Sequence, residues 1–411
     1  MVRQTHNVNL KEILMRVSNS RLILFGQVLA GLLSLFSVAL TAKYVGPIVF
    51  GFCSIFLLFL NVVITLLDYG ACSWASREFA SGRMSVRTYN EIRDSKTKLF
   101  LFILLLTPVF FVFLQNEYRS AAILLLYPAL MNRANFNQQF FLAKELVPQS
   151  VALVVVDRFC WLLIVPFSMI QMDKTLAFAA PIICGLLAQN ILGQVFAKQR
   201  IVSEGKKEVY RKKELFSLSR HFGRISATGV LSNFDAFVLS LITSIGDSSG
   251  YLLSQRFRNP LTIIFNSIGM RLRPIAASRN RVRLIREIKV DGKMLLFGSI
   301  SCIASAVFLL FFAKKFFGED FKYVNVFLFW GTLSSLPLGI LLLSSSLLSS
   351  LGFEKYSARL NLSYSVSSLI GVSVGALFFG SIGAVVFVFV VITCHAILFS
   401  SKFFTEVKSL K

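Results

Sequence analysis

Apolar runs of roughly 20 residues, broken by short polar or glycine-bearing turns, recur along the whole of this 411-residue chain. Wound as a helix that rises about 1.5 Å per residue, a run of that length matches the hydrocarbon layer of a bilayer. The runs cover 21–42, 49–70, 98–114, 120–142, 150–171 and 176–197, then 219–243, 249–270, 294–313, 323–350, 356–379 and 382–401. They lack the period-two alternation of a half-buried strand. Backbone groups in lipid must also be paired inside a helix or a closed barrel. The pattern therefore predicts an all-α polytopic membrane protein with about twelve transmembrane helices in two six-helix bundles. The expected organisation is an arm 1–20, a first bundle 21–197, a basic linker 198–218, a second bundle 219–401 and a tail 402–411.

Composition agrees, with 55% hydrophobic and only 15% charged residues and 42 Phe. A net charge of +23 would suggest nucleic acid in a soluble protein. Here most Lys and Arg gather on one side of the predicted spans, in the arm, the loops 71–98, 143–149, 198–220, 271–293 and 351–359, and the tail. The opposite side holds Lys43, Arg119, Lys174, Lys314, Lys315 and Lys322. The positive-inside rule then makes both termini cytoplasmic. The basic loops become topology signals and contacts for anionic membrane lipids, and no nucleic-acid partner is expected. The first run lacks a small-residue cleavage site and reads as an uncleaved span.

Cys53, Cys72, Cys160, Cys184, Cys302 and Cys394 are scattered singly, without a CxxC or a histidine cluster. They read as small core hydrophobes, so no metal site and no cofactor are expected. His6, His221 and His395 stand apart from one another, His395 as a satisfied core residue, and the segments on the less basic side are short. With no catalytic loop in view, the chain is not expected to be an enzyme.

Charges inside the spans are the strongest functional signal, since each costs roughly 2.5–3.5 kcal/mol to insert and usually faces protein or a water-filled path. Arg133, Arg158, Arg224, Arg256 and Arg258 outnumber Asp157 and Asp235, with Asp68 interfacial. Folding 219–243 and 249–270 about a turn at Gly246 places Asp235 level with Arg256, an expected pair. Folding the fourth and fifth spans about Leu146 places Arg133 level with Arg158, with Asp157 beside it. The surplus positive layer suits an anion, and arginine is the side chain best shaped for bidentate phosphate contact. Asn132, Asn135 and Gln139 share one helix face, with Asn137 and Gln138 nearby. These amides suit sugar hydroxyls or, equally, hydrogen bonds between helices. Arg224 lies close enough to a span end to snorkel. Layout also hints at a parallel repeat of the two halves, each first hairpin turning at glycines: Gly46 and Gly51, then Gly246 and Gly250.

With Tyr44-Val45-Gly46-Pro47, Phe50-Gly51, Leu67-Asp68-Tyr69-Gly70, Asn233-Phe234-Asp235 and Gly250-Tyr251 followed by Arg256, the chain resembles the polysaccharide-biosynthesis flippases. These are the Wzx-type O-antigen transporters of the multidrug/oligosaccharidyl-lipid/polysaccharide exporter superfamily, and the likeness in layout spans nearly the whole chain. The resemblance implies a MATE-like, V-shaped alternating-access transporter in the bacterial inner membrane. Its substrate would be a polyprenyl-diphosphate-linked glycan bound for O-antigen, lipopolysaccharide or related polysaccharide biosynthesis, with other polysaccharide-assembly membrane proteins as further partners. On that reading Arg133, Arg158, Arg256 and Arg258, with Asn132, Asn135 and Gln139, bind diphosphate and sugars. Asp235 and Asp157 couple to an ion or pair with an arginine. A drug or ion antiporter of the same superfamily, or a glycan-assembly enzyme such as a polymerase, is the alternative.

Overall fold

The computed structural model describes residues 10–80, 84–106, 116–144, 146–198, 234–277, 281–321 and 323–409, and every regular element among them is helical. In order they are α1 (Leu10–Val45), α2 (Pro47–Asp68), α3 (Ala71–Ala80) and α4 (Val86–Leu101), followed by 3-10 segments Phe102–Leu106 and Asn116–Leu126. Then come α5 (Tyr127–Ala143), α6 (Val147–Gln171), α7 (Lys174–Lys198), α8 (Phe234–Ile242) and α9 (Ile245–Ala277). The chain continues through α10 (Arg281–Phe317), α11 (Val324–Leu333), α12 (Ser335–Ser350) and α13 (Glu354–Ser409). This is an all-α polytopic membrane protein. Seven stretches among the described residues are long and apolar enough to cross a bilayer. Large apolar side chains such as Phe25, Phe36, Phe311 and Phe378 stand exposed. In water that surface would drive aggregation; in hydrocarbon it is the solvated face.

Several predicted boundaries shift. Helix α1 starts at Leu10, so half of the expected arm continues the first span as helix. Helix α13 runs on to Ser409 through most of the expected tail, with its bend at Gly380, where φ is 65°. The linker 198–218 lies outside the described residues apart from Lys198, as do Arg224 and the start of the seventh span. The second hairpin turns at Thr243–Ser244, ahead of Gly246. There Ser244 Oγ accepts the Asp247 N–H at 3.0 Å and donates to Asp247 Oδ2 at 2.8 Å. This reciprocal cap, with Ser244 two residues before the expected centre, starts α9 at Ile245.

Up to Lys198 the helices pack mostly on one another: α1 on α6, α6 on α7, and α5 on α4 and α7. From Ile245 onward α9 packs on α11 and α12, and α12 on α13. Helix α9 also joins the two groups by lying against both α1 and α2. The glycines of the first hairpin serve this arrangement. Gly46 takes φ 82°, which a side chain disfavours, and Pro47 follows at the first helical position, where its missing N–H costs nothing. A Cβ on Gly51 would lie 2.7 Å from the Ile245 carbonyl oxygen, so only glycine lets the start of α9 approach α2 this closely. At the other end of α2, Tyr69 and Gly70 have positive φ. The Asp68 carboxylate there accepts the Cys72 N–H at 3.3 Å, and Lys96 donates to the Leu67 carbonyl at 2.7 Å. The Leu67–Gly70 motif is thus a capped bend.

The two arms of α13 meet where a Cβ on Gly375 would sit 2.6 Å from the Gly383 carbonyl oxygen. Backbone cannot step aside as a flexible side chain can. Gly375→Val is expected to destabilise the protein by about 1–3 kcal/mol, read as a lower melting temperature in detergent. Gly292→Ala, with nothing within 4 Å of the added carbon, should leave that temperature within error.

Candidate functional site

A small, partly open cavity of about 60 Å³ lies among α1, α2, α5, α6 and α7 and is reached by one side chain of α9, Arg256. Its polar lining is Thr41, Ser54, Tyr127, Asp157, Arg158, Trp161 and Arg256. Asp157 Oδ2 and Arg158 Nε lie 3.2 Å apart although the two residues are neighbours in sequence. The 100° step between them is bridged by the long arginine side chain, whose guanidinium lies 5.3 Å from the centre of the Trp161 ring. Room for the Asp157 carboxylate comes from α7: a Cβ on Gly185 would stand 2.6 Å from Asp157 Oδ1. Tyr127 donates to Asn61 Oδ1 at 3.1 Å and lies within electrostatic reach of both Arg158 and Arg256. Arg256 has Arg158 as a charged neighbour, and among the described residues no carboxylate forms an ion pair with it.

Asp235 belongs to a different cluster. It accepts from the Tyr251 hydroxyl in a short hydrogen bond and from Gln255 Nε2 at 3.1 Å, and Arg258 lies within electrostatic reach. The expected Asp235–Arg256 pair is absent, and the position of the turn explains why. Reflected about Thr243–Ser244, Asp235 falls level with Tyr251 and Leu252. Tyr251, Gln255 and Arg258 then share one face of α9 at spacings of four and three, while Arg256 is turned about 100° away from Gln255, toward the first group of helices. Tyr364 of α13 extends the cluster, with Arg258 and Asp235 as its charged neighbours, and its ring packs at 5.6 Å on His395. His395 is buried, with Nδ1 3.0 Å from the Val391 carbonyl oxygen, as the core reading anticipated.

The four arginines read as one layer are therefore divided. Arg158 and Arg256 share the cavity. Arg258 faces the Asp235 cluster and keeps an unpartnered buried Nε, and Arg133 has the same feature on α5 without lining the cavity. The amide stripe is not a single polar wall either. Asn132 is buried and donates to Thr97 Oγ1 at 3.5 Å, Asn135 is half-buried and Gln139 is exposed. Asn137 accepts from Arg93 at 3.2 Å and donates to Asn190 at 3.4 Å, which makes it a joint between helices. Because α5 packs against α3, α4, α6 and α7, positions along it meet different surroundings. Tyr127, Trp161 and Gln255 have no place in the sequence reading, and Tyr251 enters it only within the Gly250-Tyr251 motif, without a site role. The aromatic ones look like any apolar residue in a span, and Gln255 beside Arg256 was the one legible sign.

No protein-family profile matches the chain, and no curated protein matches it. Solved structures do resemble its fold. An inward-facing conformation of a multidrug resistance MATE family transporter of the MOP superfamily superposes with a TM-score of 0.67 at 12% identity, covering 92% of this chain and 95% of that one. An outward-facing conformation of such a transporter gives 0.69 at 12% identity over 95% and 96%. The Vibrio cholerae MATE transporter VcmN in its bent form gives 0.63 at 16% identity over 96% and 98%. The fold is that of the MATE transporters across nearly its full length.

Proposed function

We propose that this protein is a transporter that flips a polyprenyl-diphosphate-linked oligosaccharide repeat unit from the cytoplasmic to the outer face of a bacterial inner membrane, working by alternating access. The observation that carries the reading is the meeting of Arg158 and Arg256. They stand on helices of different groups, yet share one cavity with a single carboxylate between them. A drug carrier for cations would be poorly served by such a pair, whereas a diphosphate needs it. Neighbours of this fold have been solved facing inward and facing outward, which supports alternation. Pockets for drug-sized ligands span about 300–1,000 Å³, so a cavity of about 60 Å³ is too small for the glycan in this arrangement. The glycan enters when α9 parts from α1 and α2, and the polyprenyl tail stays in lipid. Asp235, held by Tyr251 and Gln255, is the proposed coupling carboxylate, with Asp157 serving as partner to Arg158.

The test is complementation. In a bacterium deleted for its own repeat-unit flippase, the chain is expected to restore surface polysaccharide. In proteoliposomes it should deliver a labelled lipid-linked oligosaccharide to the opposite leaflet. Failure of both by protein that inserts and accumulates normally, together with efflux of a cationic dye, would favour the drug exporters that the neighbours represent.

A further inference from the structure

We propose that the small cavity shared by Arg158 and Arg256 is a binding site for a small monovalent anion, a halide such as chloride, and that this anion holds α6 and α9 together. The charges facing the cavity are two guanidiniums and one carboxylate, which leaves a single positive charge. Thr41, Ser54, Tyr127 and Trp161 bring no further charge. Hydrogen-bonding capacity points the same way. Trp161 is 6% exposed and among the described residues its indole Nε1 has no partner; Ser54 is fully buried and its hydroxyl has none there either. A buried donor without an acceptor is costly, and here two such donors line the same cavity as the two arginines. The free capacity is thus for donation and the surplus charge is positive, which selects an anion over a cation. Size selects among anions. A space of about 60 Å³ takes a halide or a few waters and has no room for a glycan diphosphate.

Geometry gives the anion a role. Arg158 is anchored on α6 by Asp157 and by the Trp161 ring, while Arg256 arrives from α9. Without an anion, two like charges from opposing helices repel in surroundings of low dielectric; with one, each guanidinium gains a shared partner.

Trp161 makes the proposal measurable. The chain has 3 Trp, and Trp74→Phe with Trp330→Phe leaves Trp161 as the sole indole. In that variant, purified in detergent with gluconate as the bulk anion, bromide is expected to quench Trp161 fluorescence along a saturating curve, and chloride should compete. Arg256→Gln and Arg158→Gln should each abolish saturation. Trp161→Phe in the wild-type background removes the N–H and keeps the ring; it should weaken chloride-dependent thermal stabilisation about tenfold in half-saturating concentration, since the lost bond is to a charged acceptor. If the double-Phe variant does not fold, the chloride-against-gluconate melting shift of the wild-type protein carries the test. Quenching that rises linearly with bromide, a melting shift equal in chloride and gluconate, or a shift that survives Arg256→Gln would each overturn the proposal. Loss of flipping activity with halide binding intact would count against the glycan reading alone.

Discussion

Alanine in place of Arg256 is expected to lower the rate of lipid-linked oligosaccharide flipping in proteoliposomes at least tenfold, with the protein still inserted and monodisperse. The size follows from a charge-assisted, bidentate phosphate contact, about 1.5–3 kcal/mol in a site shielded from water, where about 1.4 kcal/mol is a factor of ten. Arg256 is the side chain that α9 sends into a cavity otherwise walled by the first group of helices, so no neighbour on α9 can take its place. Arg158→Ala should match that loss and add a stability defect, because it strands Asp157 at 6% exposure. Lysine at position 256 should recover only part of the rate, since a point charge cannot reproduce the planar fork. Arg133→Ala, lying away from the cavity, should cost less. Equal losses at 133 and 256 would defeat the assignment of the phosphate to the Arg158–Arg256 pair.

Asp235→Ala is expected to be the most destabilising single change, about 3–5 kcal/mol, appearing as a sharp fall in yield and in melting temperature. The carboxylate accepts from Tyr251 and Gln255 and lies within electrostatic reach of Arg258. Removing it leaves two buried donors and a cation without that partner. Asp235→Asn tests a second property. It can keep the acceptor oxygen toward Tyr251 while losing the charge, so it should fold with a melting temperature near that of the natural protein. If Asp235 couples transport to an ion, this variant should still bind substrate yet no longer respond to an imposed proton or sodium gradient. Gradient-driven flipping at the natural rate in Asp235→Asn would remove Asp235 from coupling and leave it a structural role. Tyr251→Phe, which deletes one donor and leaves the charge, should fall between the two in stability.

Reading the hairpin about Gly246 had a correctable cause. The turn glycines were given more weight than Ser244 and Asp247, whose Ser-x-x-Asp spacing is a recognisable helix start. Moving the centre from Gly246 to Thr243–Ser244 shifts the level opposite Asp235 by about five residues along α9, enough to exchange Arg256 for Tyr251 as its partner. Elsewhere the motifs were legible for reasons that the fold explains. Gly46, Gly51 and the Leu67–Gly70 bend are places where backbone conformation or close helix approach restricts the residue type.

What the amino-acid order determined alone is what depends on one span at a time: that the chain is helical, that it is a membrane protein, roughly where its helices lie, and that arginines inside the spans exceed carboxylates there. These follow from run length, hydropathy, position inside a span and the cost of unpaired groups in lipid, all local quantities. Which arginines meet was a tertiary decision. Depth in a span can be counted along the sequence, and it matched Arg133 with Arg158. Rotation about the helix axis and the choice of packing neighbour are set by the other helices. They sent Arg158 and Arg256 into one cavity, turned Arg258 to Asp235, and placed Trp161 and Ser54 where their donors face the same space.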